Sequence, residues 1–270
     1  MAVITFLNQK GGVGKTSICF HLAGTLAQIG RRILIVDADP QSSATQGFLG
    51  PAEAERLDPT GTIVAIYRGD DPLLEQVIRP TPFVGIDLLA GSQFATTYNV
   101  PDPHRVDPQS QVGLRDFLVE VRANYDLILV DCPPNLHFCS WAALVASDYV
   151  VVPLQAEDFG SQGLNPVQAS IAAVRAVANP GLHLLGYLIT MFSPRTAIHK
   201  AYEAMLRQTY GLDVFATMVP VAVDYKEAIA QRRPVAQYKP KGAAAKMIKA
   251  LAEEIMGRIV ARRTAPGEAA

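Results

Sequence analysis

Short runs rich in Val, Ile and Leu recur along the chain, separated by longer stretches in which apolar residues return every three or four positions. The short runs match strands buried on both faces of a parallel sheet, and the longer stretches match amphipathic helices. The pattern predicts strands over 3–7, 33–36, 85–89, 127–130, 149–153, 184–190 and 214–219. Helices are expected over 15–28, 111–123, 136–146, 163–177, 198–209 and 242–262. This alternation implies an α/β fold, a doubly wound and mainly parallel sheet in a single domain over 1–262. Segments 50–79 and 91–110 are richer in Pro, Gly and Asp and are expected to form short helices and loops outside the sheet. Residues 263–270 have no apolar period and read as a flexible C-terminal tail.

Composition narrows the class. With 270 residues, 49% hydrophobic and 18% charged, the chain is too apolar for disorder and long enough for a sizeable core. A formal net charge of -1 means that any basic surface must be local. Such a surface is legible between residues 195 and 249, where ten Lys and Arg stand against four acids. Phosphates of DNA are the commonest partner of such a face. The three cysteines, Cys19, Cys132 and Cys139, form no C-x-x-C pair, and the five histidines have no ligand spacing on a shared helix. A disulfide framework and a zinc site are therefore not indicated, and a reducing cytoplasm is expected. The apolar run at 184–192 is far short of a membrane span, and the first residues lack the basic region of a secretory signal.

The most informative stretch is Lys10-Gly11-Gly12-Val13-Gly14-Lys15-Thr16-Ser17, between a predicted strand and a predicted helix. Glycines let backbone N–H groups curl around phosphate oxygens, and the helix aims its positive end at them. In such a loop Lys15 bridges the β- and γ-phosphates and the Thr16 hydroxyl ligates Mg²⁺. The common G-x-x-x-x-G-K-[ST] pattern would place glycine where this chain has Gln9, so the loop is a variant whose mark is the extra Lys10. Asp37 and Asp39 end one predicted strand and Asp131 another. Alone, each reads equally well as a turn former; three carboxylates at strand ends beside a phosphate loop read better as a ligand site.

The loop resembles the deviant Walker A motif of the ParA/MinD family of ATPases. Two further segments carry the likeness, Val36-Asp37-Ala38-Asp39-Pro40-Gln41 and Leu127-Ile128-Leu129-Val130-Asp131-Cys132-Pro133-Pro134, and weaker matches at 152–157 and 191–195 extend it over 3–260. The resemblance implies a P-loop fold, ATP and Mg²⁺ as cofactors, and a homodimer that sandwiches ATP, with Lys10 crossing to the partner's phosphates. It further implies that Asp39 positions the attacking water, that Asp37 sits in the Mg²⁺ shell and that Asp131 holds Mg²⁺ through a water. Pro220, after the last predicted strand, is carried over as a candidate beside the adenine.

Partition-type members bind double-stranded DNA without sequence preference and are stimulated by a ParB-like centromere-binding adaptor. The expectation is therefore a cytoplasmic, nucleoid-associated ATPase driving plasmid or chromosome partition. The DNA candidates are Arg195, Lys226, Arg232, Arg233, Lys241 and Lys246. Here the chain departs from its relatives: many read P-R-N-V-R-L-S-E-A where it has Pro220-Val221-Ala222-Val223-Asp224-Tyr225-Lys226-Glu227-Ala228, without either arginine. The first predicted strand starts almost at Met1, so an N-terminal helix-turn-helix domain is not expected. Alternative readings keep the ATPase but change what it serves, either positioning a microcompartment or chemoreceptor cluster or regulating division from a membrane through the last helix. That helix repeats Ala244, Met247, Ile248, Leu251, Ile255 and Ile259, a stripe better suited to core packing because it lacks Trp and Phe and carries Glu253 and Glu254. A metal-cluster carrier is the least favoured reading, since Cys132 and Cys139 lack a matching cysteine context.

Overall fold

The computed structural model describes residues 1–156 and 164–264. Its first strand, β1 (Ala2–Phe6), alternates: Ala2, Ile4 and Phe6 pack into one apolar layer while Val3 faces a second. The helix α1 (Lys15–Gln28) begins at Gly14 and stops at Ile29, where the Gly30 N–H returns to the Ala27 carbonyl at 2.9 Å. Next come β2 (Ile33–Asp37) and the short helices α2 (Ser43–Leu49), α3 (Pro51–Ala54), α4 (Ile63–Arg68) and α5 (Leu74–Val77). The chain continues through β3 (Ile78–Pro80), β4 (Ile86–Leu89) and α6 (Pro108–Val121). The last of these starts earlier than its apolar period indicates, because Asp107 accepts the Gln109 N–H at 2.9 Å and Pro108 fits the first helical position. After β5 (Leu127–Asp131) follow α7 (Phe138–Val145), β6 (Tyr149–Gln155), α8 (Asn165–Val177), β7 (His183–Phe192), α9 (Ala197–Tyr210), β8 (Val219–Pro220), α10 (Val223–Ala230), α11 (Val235–Tyr238) and α12 (Ala243–Thr264).

The eight strands of the described residues form one sheet in the order β3-β4-β2-β5-β1-β6-β7-β8, parallel throughout except for β3. Helices α4, α6, α7 and α8 cover one face, and α1, α2, α10 and α12 the other. This is the doubly wound arrangement expected from the alternation. From β1 the chain runs outward toward β2, and from β5 it crosses to β6 on the opposite side. The crevice of such a sheet opens at that reversal, beyond the carboxyl ends of β1, β5 and β2.

Two expectations are corrected. Ile78 and Arg79 are not outside the sheet: they pair antiparallel with Leu89 and Leu88 as its edge, a strand too short to show a period. The strand expected over 214–219 is not continuous. Val214 makes only an isolated bridge to Tyr187, and pairing resumes at Val219. In between, the N–H groups of Ala216 and Thr217 donate to the Glu254 carboxylate, each at 2.8 Å, instead of to a neighbouring strand. Of the expected tail, Arg263 and Thr264 continue α12, while 265–270 lie outside the described residues, as does Gly163 at the start of the expected 163–177 helix. The apolar stripe of α12 is interior: Ala244, Ile248, Leu251, Ile255 and Ile259 are buried against the layer that contains α1, with Met247 half-buried. Among the described residues no helix is long and apolar enough to cross a membrane.

Candidate functional site

The loop between β1 and α1 is built around two glycines with left-handed backbone, Gly12 at φ +77° and Gly14 at φ +92°. Side chains at those positions would be strained. The loop is pinned from below by Asn8, which is buried: its Nδ2 donates to the Pro153 carbonyl at 2.7 Å and its Oδ1 accepts the Lys10 N–H at 3.0 Å. From the side, the Thr190 hydroxyl donates to the Val13 carbonyl at 2.9 Å and Gln155 Nε2 to the Gly12 carbonyl at 3.2 Å. No side chain caps α1, so its first N–H groups lack a side-chain acceptor where Lys15, Thr16 and Ser17 border the cleft. An anion is what such a helix start accepts. Lys15 folds back over the loop, donating from Nζ to the Asn8 carbonyl at 3.0 Å and the Lys10 carbonyl at 3.1 Å. Burial lowers its pKa, and the negative field of Asp131 and Asp39 works against that.

Opposite the loop stand the three carboxylates. Asp37 and Asp131 are register partners on β2 and β5, and Phe6 of β1 pairs with Asp131 on the other side. Asp37 is fully buried and accepts both the N–H and the hydroxyl of Thr45 at 2.7 Å; burial pushes its carboxyl up to about 7. Asp39 is buried and accepts the Gln41 N–H at 2.9 Å, and burial raises its pKa too. Asp131 differs from both, because among the described residues neither of its buried carboxyl oxygens has a hydrogen-bond partner. Its carboxyl is held well above the usual range by burial and by Asp37, against the favourable Thr16 hydroxyl and Lys15.

An orphaned carboxylate beside a hydroxyl is the oxygen-donor set of a hard divalent cation, so these residues fit Mg²⁺. Among the described residues no group of three or more His, Cys, Asp or Glu forms an all-protein metal cage. Mg²⁺ seldom needs one, since one or two carboxylates plus substrate phosphates and waters suffice. Thr16 and Asp131 would hold it. Asp37 is already committed to Thr45 and so is the less direct candidate.

The loop opens into a cleft of about 540 Å³, bordered by Gly11, Gly12, Gly14 to Ile18, Asp39, Ser43 and Pro134; Asp37 and Asp131 are fully buried and do not line it. Its far wall consists of Val219, Pro220, Val221, Ala222, Tyr225, Lys226 and Ile229. Pro220, the candidate carried over for the adenine, is part of that wall. Lys226 was expected among the DNA-binding residues, and it lines this cleft. Lys10 is exposed and is not part of its own cleft's lining, and Val13 is buried under the loop. Arg195, Arg232, Arg233, Lys241 and Lys246 are all exposed, on the loops after β7 and α10, before α12 and on α12 itself. All four acids counted between 195 and 249 are paired: Glu203 with Arg207, Asp213 with Arg262, and Asp224 and Glu227 with Lys239. The three cysteines are buried thiols.

Asn8, Thr45 and Thr190 shape the site and escaped the sequence reading, and Gln155 entered it only as part of the match at 152–157. Each acts through a contact with a residue on another strand or loop, which leaves no periodic signal.

The AAA domain family matches residues 1–184 of the chain. The chromosome-partitioning ATPase Soj of Thermus thermophilus is 38% identical, over 95% of this chain and 96% of its own length. The chromosome partitioning protein ParA of Caulobacter vibrioides is 33% identical, over 96% and 95% respectively. Among solved structures, cobyrinic acid a,c-diamide synthase of Mycobacterium smegmatis with bound ATP analogue and magnesium shares the fold at a TM-score of 0.81 and 24% identity, covering 98% of both chains. With a phosphate loop at the sheet's switch point and similarity to Soj and ParA proteins over nearly its whole length, the chain belongs to the ParA/Soj family of P-loop ATPases.

Proposed function

We propose that this protein is a nucleotide-gated switch for DNA partition. It binds ATP in the cleft, pairs with a second copy around the nucleotide, holds double-stranded DNA without sequence preference in that state, and releases it after hydrolysis. The observation that carries the nucleotide half is that Lys15 and Thr16 line one cleft and both act on the fully buried, orphaned Asp131. In this reading the loop N–H groups and Lys15 bind the phosphates, and Asp39, at the cleft's border, orients the attacking water. Mg²⁺, when bound at Thr16 and Asp131, supplies positive charge against the developing phosphate charge.

Dimerisation is supported by Lys10, which is exposed and does not line its own cleft, as a residue serving a neighbour's site would be. DNA binding is supported by the exposed arginines and lysines whose local acids are spent on other pairs. Likeness to the chromosome-partitioning proteins Soj and ParA favours partition over other cargoes. The proposal takes a centromere-binding adaptor as the partner that stimulates hydrolysis and the nucleoid as the location.

The test is binding to an arbitrary duplex over a salt series, with a slowly hydrolysed ATP analogue and with ADP. Salt-sensitive binding with the analogue alone is expected, its slope giving the number of phosphate contacts. Equal or absent binding in both states removes the DNA half of the proposal.

A further inference from the structure

Lys226 has the surroundings of a ligand contact. The two acids near it on α10 are occupied by another residue: Lys239 Nζ reaches Asp224 Oδ1 at 2.6 Å and Glu227 Oε2 at 2.9 Å. Lys226 has no carboxylate partner of its own among the described residues, and it lines the cleft. With phosphates anchored at the loop, the other half of a bound nucleotide falls against the far wall. That wall is otherwise apolar, made of Val219, Pro220, Val221, Ala222 and Ile229 with Tyr225, which suits a flat base. Lys226 is its one cation among the described residues.

An ammonium has three donors and no acceptor. Guanine presents two acceptors, N7 and O6, on one edge, whereas adenine presents the acceptor N7 beside the donor N6 amino group. We propose that Lys226 is a nucleotide contact that donates to the purine and widens base selection toward 6-oxo purines, so that guanine nucleotides enter this cleft alongside adenine nucleotides. The inference rests on the nucleotide reading of the cleft and gives Lys226 a role other than holding DNA phosphates.

The experiment is calorimetric titration of ADP and of GDP into wild type, Lys226→Met, Lys226→Arg and, as a control, Lys15→Ala. Lys226 is exposed, so its variants retain the fold, which an unchanged Tm verifies. Lys226→Met is expected to weaken GDP about tenfold, as loss of a hydrogen bond from a charged donor does, and to weaken ADP much less. Lys226→Arg is expected to restore GDP binding. An unchanged GDP-to-ADP affinity ratio in Lys226→Met overturns the proposal, and so does loss of duplex binding by that variant at saturating ATP analogue with the ratio intact. Failure of wild type to bind either diphosphate is a different result, because it removes the nucleotide reading itself.

Discussion

Gly91 follows β4 in a segment read only as loop, yet the site depends on its having no side chain. A Cβ there would stand 2.8 Å from Asp37 Cγ and 3.0 Å from the Asp37 carbonyl oxygen, and the Gly91 N–H donates to the Thr45 hydroxyl that itself serves Asp37. Backbone cannot step aside as a flexible side chain can. Gly91→Ala is therefore expected to cost about 1–3 kcal/mol in urea unfolding, the usual toll of overpacking, and to lower nucleotide affinity by shifting Asp37. His21 supplies a second prediction at this scale. It is buried on α1, accepts the Val235 N–H at Nδ1 (3.1 Å), and burial lowers its pKa from 6.5 to about 4. A base with a depressed folded pKa is protonated first in the unfolded chain, so stability is retained above 6.5 and lost as pH falls from there toward 4. Between pH 7 and pH 5 the loss from this one group is about 2 kcal/mol, and urea midpoints of wild type against His21→Asn should show it missing in the variant. Neither behaviour was readable one residue at a time: a lone histidine or glycine carries no mark of what lies across from it.

Among the elements, α12 does more than cover the sheet. Glu254 takes the N–H groups of Ala216 and Thr217, while Arg258 donates to the Leu185 carbonyl at 3.0 Å and the Val214 carbonyl at 2.8 Å and lies over the Phe215 ring. An ion pair within α12 thus takes the place of strand pairing ahead of β8 and holds the approach to Val219 and Pro220 in the far wall of the cleft. Glu254→Gln should speed hydrogen exchange at Ala216 and Thr217 and reduce stability by about 1–2 kcal/mol, because the amide keeps one acceptor oxygen where the carboxylate had two and leaves one of the two N–H groups facing a donor. The stripe along α12 was legible as core packing because its period is intrinsic to one helix. The interruption of the 214–219 strand was not, since the competing acceptor belongs to another element. At α1, Gly24 meets Pro234 so closely that an added Cβ would collide with its ring. The loop before α11 is thereby seated on the helix that leaves the phosphate loop.

For the whole molecule, the decisive question is whether the site is complete in one copy. Lys10 stands outside its own cleft, so Lys10→Ala is expected to bind ADP like wild type while losing ATP-dependent dimerisation and turnover. Light scattering on a sizing column, with and without ATP, checks it; unchanged dimerisation and turnover would mean that Lys10 has no role across an interface. Asp39→Ala is expected to keep nucleotide binding and the ATP dimer but lose turnover, followed by phosphate release.

The doubly wound class, the phosphate loop and the three strand-end carboxylates could all be read from the chain, because strand alternation, helical period and loop chemistry are local and repeat at short spacing. Folding alone decided that Asp37 and Asp131 stand side by side, that Asp131 is left without a partner while Asp37 is satisfied by Thr45, and that Lys226 borders the cleft. Those outcomes depend on which elements the sheet order makes neighbours, and burial then sets the cost of each unpaired or charged group wherever the chain has carried it.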